Sequence, residues 1–116
     1  MKTFSLTAAA ALALSASASA QTAPVADCGP ITGTIRVADG APVTPDLARV
    51  SEADARDAAQ RAVPGATVVE VDLEEEDGFL VYDIDLRRGG EPGADPAEFD
   101  VTVDAGSGEV LCTEQD

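Results

Sequence analysis

Between Val68 and Leu86 the chain reads VVEVDLEEEDGFLVYDIDL, eight carboxylates in nineteen residues around a single Asp-Gly, with no Lys, Arg or His among them. Clustered carboxylates have three chemical uses: proton transfer, cleavage of glycosides by a pair of acids, and coordination of cations. Proton transfer at neutral pH needs a raised pKa, whereas carboxylates on an open, solvated face keep ordinary values. Glycoside cleavage needs a cleft that holds the sugar and tunes one acid. The run Glu74-Glu75-Glu76-Asp77-Gly78 lacks the spaced oxygen ligands of a loop that wraps calcium, which leaves weak, shared binding of divalent cations. The chain has no His, no nucleophile beside a base and no glycine-rich phosphate loop. No catalytic, metal-ligating or cofactor-binding residue is therefore assigned, and a protein that is not an enzyme is expected.

The remaining residues with distinctive chemistry are Cys28 and Cys112, the two cysteines of the chain. Their meaning depends on compartment. Residues 1–20, MKTFSLTAAAALALSASASA, combine one Lys, an apolar run from Phe4 to Leu14 and an Ala18-Ser19-Ala20 site before Gln21, the pattern of a secretory signal peptide cleaved after Ala20. The apolar run is too short for a membrane span. Val25-Ala26-Asp27 before Cys28 does not resemble a lipoprotein signal. Periplasmic or secreted localisation is the expectation, and there two cysteines form a disulfide. An intermolecular bridge or free thiols are the alternatives, the second without a His or Lys to lower a thiol pKa.

Without residues 1–20 the chain has six Arg against twenty-two acids, a net charge of −16. Nucleic acid and anionic membrane surfaces both require a basic face and are poor partners, and neither nucleic-acid binding nor membrane insertion is expected. Cationic proteins, such as a basic envelope protein, or divalent cations fit the charge. So does plain solvation of a secreted monomer.

Placing these groups in space falls to a few short elements. Residues 21–49 form an N-terminal extension in which Ile31–Val37 alternates as a short strand. Residues 50–116 form the main domain. Ser51 caps a helix, with Asp54 placed to reach back as a capping box, and Ala55, Ala58, Ala59 and Ala62 share its inner face until Pro64-Gly65 stops it. Asp77-Gly78 as a two-residue turn pairs Glu76 with Phe79, Leu73 with Tyr82, Val71 with Ile84 and Val69 with Leu86. The same register sets Asp72 against Asp83 and Glu70 against Asp85 on the opposite, exposed face. Gly89–Glu98 is a loop, Phe99–Asp104 a third strand that adds Asp100 and Asp104 to the acidic face, and Glu109–Cys112 a fourth. The expected fold is α+β: one N-terminal helix packed on an antiparallel β-meander of three to four strands, with a short extra N-terminal strand. Its candidate partner or cation face is Glu70, Asp72, Asp83, Asp85 and Asp100.

In order along the chain, Val50-Ser51-Glu52-Ala53-Asp54-Ala55, Ala62-Val63-Pro64-Gly65, Val69–Glu74, Asp77-Gly78, Leu80-Val81-Tyr82, Val103-Asp104-Ala105 and Gly108–Leu111 resemble a PepSY domain. The resemblance spans Val50 to Leu111. It implies a helix on an antiparallel sheet, a secreted or cell-envelope setting and a restraining action on peptidases, and it brings no catalytic residues. The long Gly89–Glu98 loop and the cysteine pair depart from the family pattern. With no protease sequence in these 116 residues, any action on a peptidase is expected in trans, through the sheet face or the Gly89–Glu98 loop.

Overall fold

A computed structural model describes residues 28–90 and 92–116. The signal peptide and its cleavage after Ala20 lie outside the described residues. One helix, α1 (Glu52–Ala62), packs on a four-stranded antiparallel sheet of order β1-β2-β3-β4, formed by β1 (Thr67–Glu76), β2 (Phe79–Arg88), β3 (Ala97–Asp104) and β4 (Val110–Gln115). This is the expected α+β meander.

Local chemistry starts and stops the helix as the residues imply. The Ser51 hydroxyl accepts from the Asp54 amide at 3.1 Å, and Glu52 and Asp54 place negative charge at the positive end of the helix dipole. Gly65, at φ 83°, turns the chain into β1 after Val63. Ala55, Ala58 and Ala59 are buried against the sheet, but Ala62 is exposed and Val63, just past the last turn, takes the inward position instead. Small side chains on the buried face let the helix approach Tyr82, Ile84, Leu86, Val101 and Val103, the centre of the core.

The β1–β2 turn is Asp77-Gly78 with φ of 54° and 90°, the mirror-image turn whose twist matches the strands it joins. Glu76 faces Phe79, Leu73 faces Tyr82, Val71 faces Ile84, Asp72 faces Asp83 and Glu70 faces Asp85, all as expected. The expected pair of Val69 with Leu86 is wrong. A bulge between Val68 and Glu70 gives Leu86 to Val68 and leaves Val69 49% exposed, one of two large hydrophobics so placed among the described residues. The bulge inserts one residue, so Val68 returns to the apolar face, where it packs on the core.

The N-terminal extension also departs from expectation. Ile31–Val37 makes no strand. A single bridge joins Arg36 to Phe79, with Val37 donating to the Gly78 carbonyl and Leu80 to the Ile35 carbonyl, both at 2.9 Å. Upstream of that bridge the chain crosses the sheet face opposite α1. Ile31 packs there on Val81 and Cys112, and Cys28 forms a disulfide with Cys112 across a Cα separation of 5.9 Å. The 84-residue separation closes a loop that the chain-entropy account values at about 4.6 kcal/mol. A 3-10 turn at Pro45–Leu47, begun by Pro45 after Thr44 and with Asp46 in its first turn, carries the chain from this segment to α1.

Asp104 fastens the crossing segment. Expected on the acidic face, it is instead 1% exposed. Its carboxylate accepts from the Thr34 hydroxyl at 3.0 Å, the Thr34 amide at 3.3 Å, the Gly106 amide at 3.1 Å and the Ser107 hydroxyl at 2.7 Å. Burial alone would raise its pKa, but these four donors bring it below the ordinary carboxylate value. Gly106 is required at this point, because a Cβ there would overlap the Thr34 hydroxyl. Replacing Asp104 by Ala should destabilise the protein by about 3 kcal/mol, since four donors lose their acceptor at a buried site. Chemical denaturation of the two proteins measures this, and a loss below the value typical of a surface substitution would show that the network is dispensable.

Candidate functional site

Period-two alternation sends most apolar side chains of the strands toward α1 and most acids to the other face; Val81, beneath Ile31, and Glu75, opposite Leu80, are exceptions. On that face, strand register lines up carboxylates across the sheet. Glu70 faces Asp85, Asp85 faces Asp100 and Asp100 faces Glu114, a row of four acids spanning all four strands. The next row runs Asp72, Asp83, Thr102 and Cys112. Of the five residues expected to form the face, all five sit on it together, and Asp83, Asp85 and Asp100 come close enough for one oxygen of each to lie within 4.8 Å of the others. Glu114 completes the row and is absent from the residues the sequence singles out. Its alternation with Cys112 places it on this side, but the β4 register needed to align it depends on the irregularity between Thr102 and Val103.

The face is not as open as the sequence suggests. Glu70 and Asp72 are exposed, whereas Glu74, Glu76, Asp83, Asp85, Asp100 and Glu114 are half-buried. The cause is the crossing segment: Cys28, Gly29 and Ile31 wall a depression of about 130 Å³ with Glu74, Asp83 and Asp100. Ile31 is anchored there by its amide, which donates to the Asp77 carboxylate at 2.7 Å.

Crowding and partial burial change the protonation chemistry. The expectation that these acids keep ordinary pKa values fails most clearly at Asp100, which is pushed up to about 8 by burial, then by its hydrogen bond to Asp83 and by the Asp83 charge. One Asp100 oxygen is fully buried with no hydrogen-bond partner, as suits a protonated acid in a crowd of carboxylates. Asp85 is raised by burial and then by Asp83, and Glu74 and Glu76 are raised by burial and then by Asp83. Glu70 is raised chiefly by the charge of Asp72. Arginines at the margin of the face are engaged elsewhere: Arg87 reaches Glu98 at 3.6 Å, and Arg88 sits 4.9 Å over the Phe99 ring.

A carboxyl whose folded pKa lies above its unfolded value binds an extra proton in the native state between the two values. Stability therefore falls as pH rises through that window, which for Asp100 runs from about 4 to about 8. Asp104 acts in the opposite sense, and its contribution is lost as pH falls below the ordinary carboxylate range. The protein should be most stable in mild acid. Asp100→Asn should raise the melting temperature at about pH 9 and change it little at about pH 5. Asp83→Asn, which removes the charge opposite Asp72, should stabilise by a few tenths of a kcal/mol at neutral pH. Calorimetric scans across pH test both; a destabilised Asp83→Asn would mean that its hydrogen bond with the Asp100 carboxyl outweighs its repulsion from Asp72.

No characterised protein and no solved structure matches the chain. Residues 49–114 match the PepSY family, described as "Peptidase propeptide and YPEB domain". The match starts just before the Ser51 cap and ends at Glu114, so it takes in α1, all of β1 to β3 and nearly all of β4. With more than half of its length matched and a helix on a four-stranded antiparallel sheet, the chain belongs to the PepSY family.

Proposed function

We propose that the chain is a periplasmic or secreted binding module without catalytic activity, which modulates a peptidase in trans by presenting its acidic face to a basic surface. The observation that carries this reading is the row Glu70, Asp85, Asp100 and Glu114, which spans the sheet without an interleaved cation. Like charges opposed across a ladder, as at Glu70 with Asp85 and Asp72 with Asp83, destabilise the free protein, and Asp100 escapes the repulsion by holding its proton; a partner that brings cations relieves both. The description of the family, a peptidase propeptide domain, names the class of partner. Secretion rests on the leader-like residues 1–20 and on the Cys28–Cys112 disulfide. Among the described residues no helix is long and apolar enough to cross a membrane. The depression on the acidic face, about 130 Å³, is smaller than the usual small-molecule site, so this face fits a flat protein partner better than a bound substrate.

Titrating the purified protein into a thermolysin-like protease tests the reading. Activity should fall at micromolar protein, and Asp72→Asn combined with Asp85→Asn should weaken the effect while raising the stability of the free protein. Unchanged protease activity at that concentration would remove this enzyme class as the target.

A second reading, response to divalent cations, is favoured by the approach of Asp83, Asp85 and Asp100 to within 4.8 Å. Calcium should then raise the melting temperature beyond sodium chloride of equal ionic strength, and Asp100→Asn should abolish the difference. Equal shifts from the two salts would reduce the effect to screening.

A further inference from the structure

The free edge of β1 carries three features that neither sheet face explains by itself. It is ten residues long, and among the described residues no strand lies outside it. Its backbone polarity follows from β2. The Leu80 amide donates to the Ile35 carbonyl and the Leu80 carbonyl accepts from the Ala105 amide, so both groups of Leu80 point away from β1. Glu75 faces Leu80 and is therefore a pair without mutual hydrogen bonds. Alternation extends this to Leu73 and Val71, whose N–H and C=O groups, with those of Glu75, are directed off the sheet.

The side chains flanking this row of donors and acceptors differ by face. On the α1 side Val71 and Leu73 form one wall of an open groove of about 440 Å³, whose other wall includes Pro45, Ala48 and Val50. Leu47, in the same 3-10 turn as Pro45, is 39% exposed. On the other side Glu70, Asp72, Glu74 and Glu76 line the edge at every second residue. Natural edge strands are blunted by charged side chains, Pro or bulges, and the acids of β1 close it to acidic strands while leaving it open to a basic one. β1 has one bulge, at its far end, and leaves Val71 to Glu76 in regular register. The opposite edge strand, β4, has six residues and is tied by Cys112 to the N-terminal segment.

We infer that the β1 edge is a strand-addition site for an extended segment of a partner protein in which basic and apolar residues alternate. The added strand takes its backbone hydrogen bonds from Val71, Leu73 and Glu75, lays its apolar side chains in the groove beside Leu73 and sets its cations against Glu70, Asp72 and Glu74. Charge selects against the other occupants. A second copy of the chain would bring this acidic row against its own equal, and residues 21–27 contain no basic side chain. The inference rests on the proposed role of the acidic face in partner binding and adds to it the conformation and sequence pattern of what is bound.

The test uses a capped octapeptide of alternating Lys and Val, its Glu/Val counterpart, and a Lys/Val peptide N-methylated at alternate residues, with the unaltered protein. The Lys/Val peptide should bind and slow hydrogen exchange at the Val71, Leu73 and Glu75 amides, the N-methylated peptide should lose that protection, and the Glu/Val peptide should not bind. Glu70→Gln combined with Asp72→Asn should weaken binding about fivefold with the fold retained. Equal binding by the N-methylated peptide, protection elsewhere, no binding, or a concentration-dependent dimer that protects the same amides would each overturn the inference. Peptide binding is read without any protease, so its failure leaves the peptidase reading standing if inhibition persists, and inhibition can fail while strand addition holds.

Discussion

A two-residue turn at Asp77-Gly78 decides in which direction every side chain of the hairpin points. Both residues occupy positive φ, and Glu76 meets Phe79 directly behind them. Because side chains alternate with a period of two, this single contact assigns Val71, Leu73, Tyr82, Ile84 and Leu86 to the α1 side and Glu70, Asp72, Glu74, Asp83 and Asp85 to the other. A slip of one residue would bury the acids beneath the helix. The rest of the sheet inherits the phase: β3 pairs in register with β2, which brings Phe99, Val101 and Val103 to the helix and Asp100 into line with Asp85. The bulge at Val69 preserves it by returning Val68 to the core after one extra residue.

Electrostatically, the two faces of this sheet make opposite contributions. The α1 face buries apolar side chains and stabilises in proportion to the area removed from water. The other face gathers carboxylates, and the crossing segment from Cys28 to Ile31 shields part of them from the solvent that would screen their repulsion. Asp100 responds by holding its proton. Asp104 stands at the end of the same face but has four hydrogen-bond donors, and it remains ionised. These two aspartates of one strand thus diverge in protonation because one is surrounded by acceptors and the other by donors. The segment that crowds Asp100 is held in place through Thr34 by Asp104, so the acid network and its cover are one unit.

Much of the fold can be read from the residues because it is local. The Ser51 cap, the helix stop at Pro64-Gly65 and the Asp-Gly hairpin each rest on backbone preferences of a few adjacent residues. The acidic face comes from parity, as does the grouping of Glu70, Asp72, Asp83, Asp85 and Asp100. The misreadings concern neighbours distant in sequence. Ile31–Val37 alternates like a strand, yet it bridges only at Arg36, because β3 occupies the side of β2 where a longer ladder would form. Ala62 fits the helical stripe but lies beyond the edge of the buried patch. Gly106 and Ser107 give Asp104 two local donors that Asp100 lacks, but its burial depends on Thr34, seventy residues away, and Glu114 enters the row through a register shift in β4.

Residue order over short spans was enough to set the hairpin phase, the helix limits, the segregation of acid from apolar residues and the likeness to the PepSY family. Tertiary contacts settled which acids are solvated and which are crowded, that Cys28 meets Cys112, and that the edge of β1 is left open beside an apolar groove. Those properties depend on where the chain returns after tens of residues. The free energy of a carboxylate is set by the groups that surround it in space, and their identity is not carried by its neighbours in the chain.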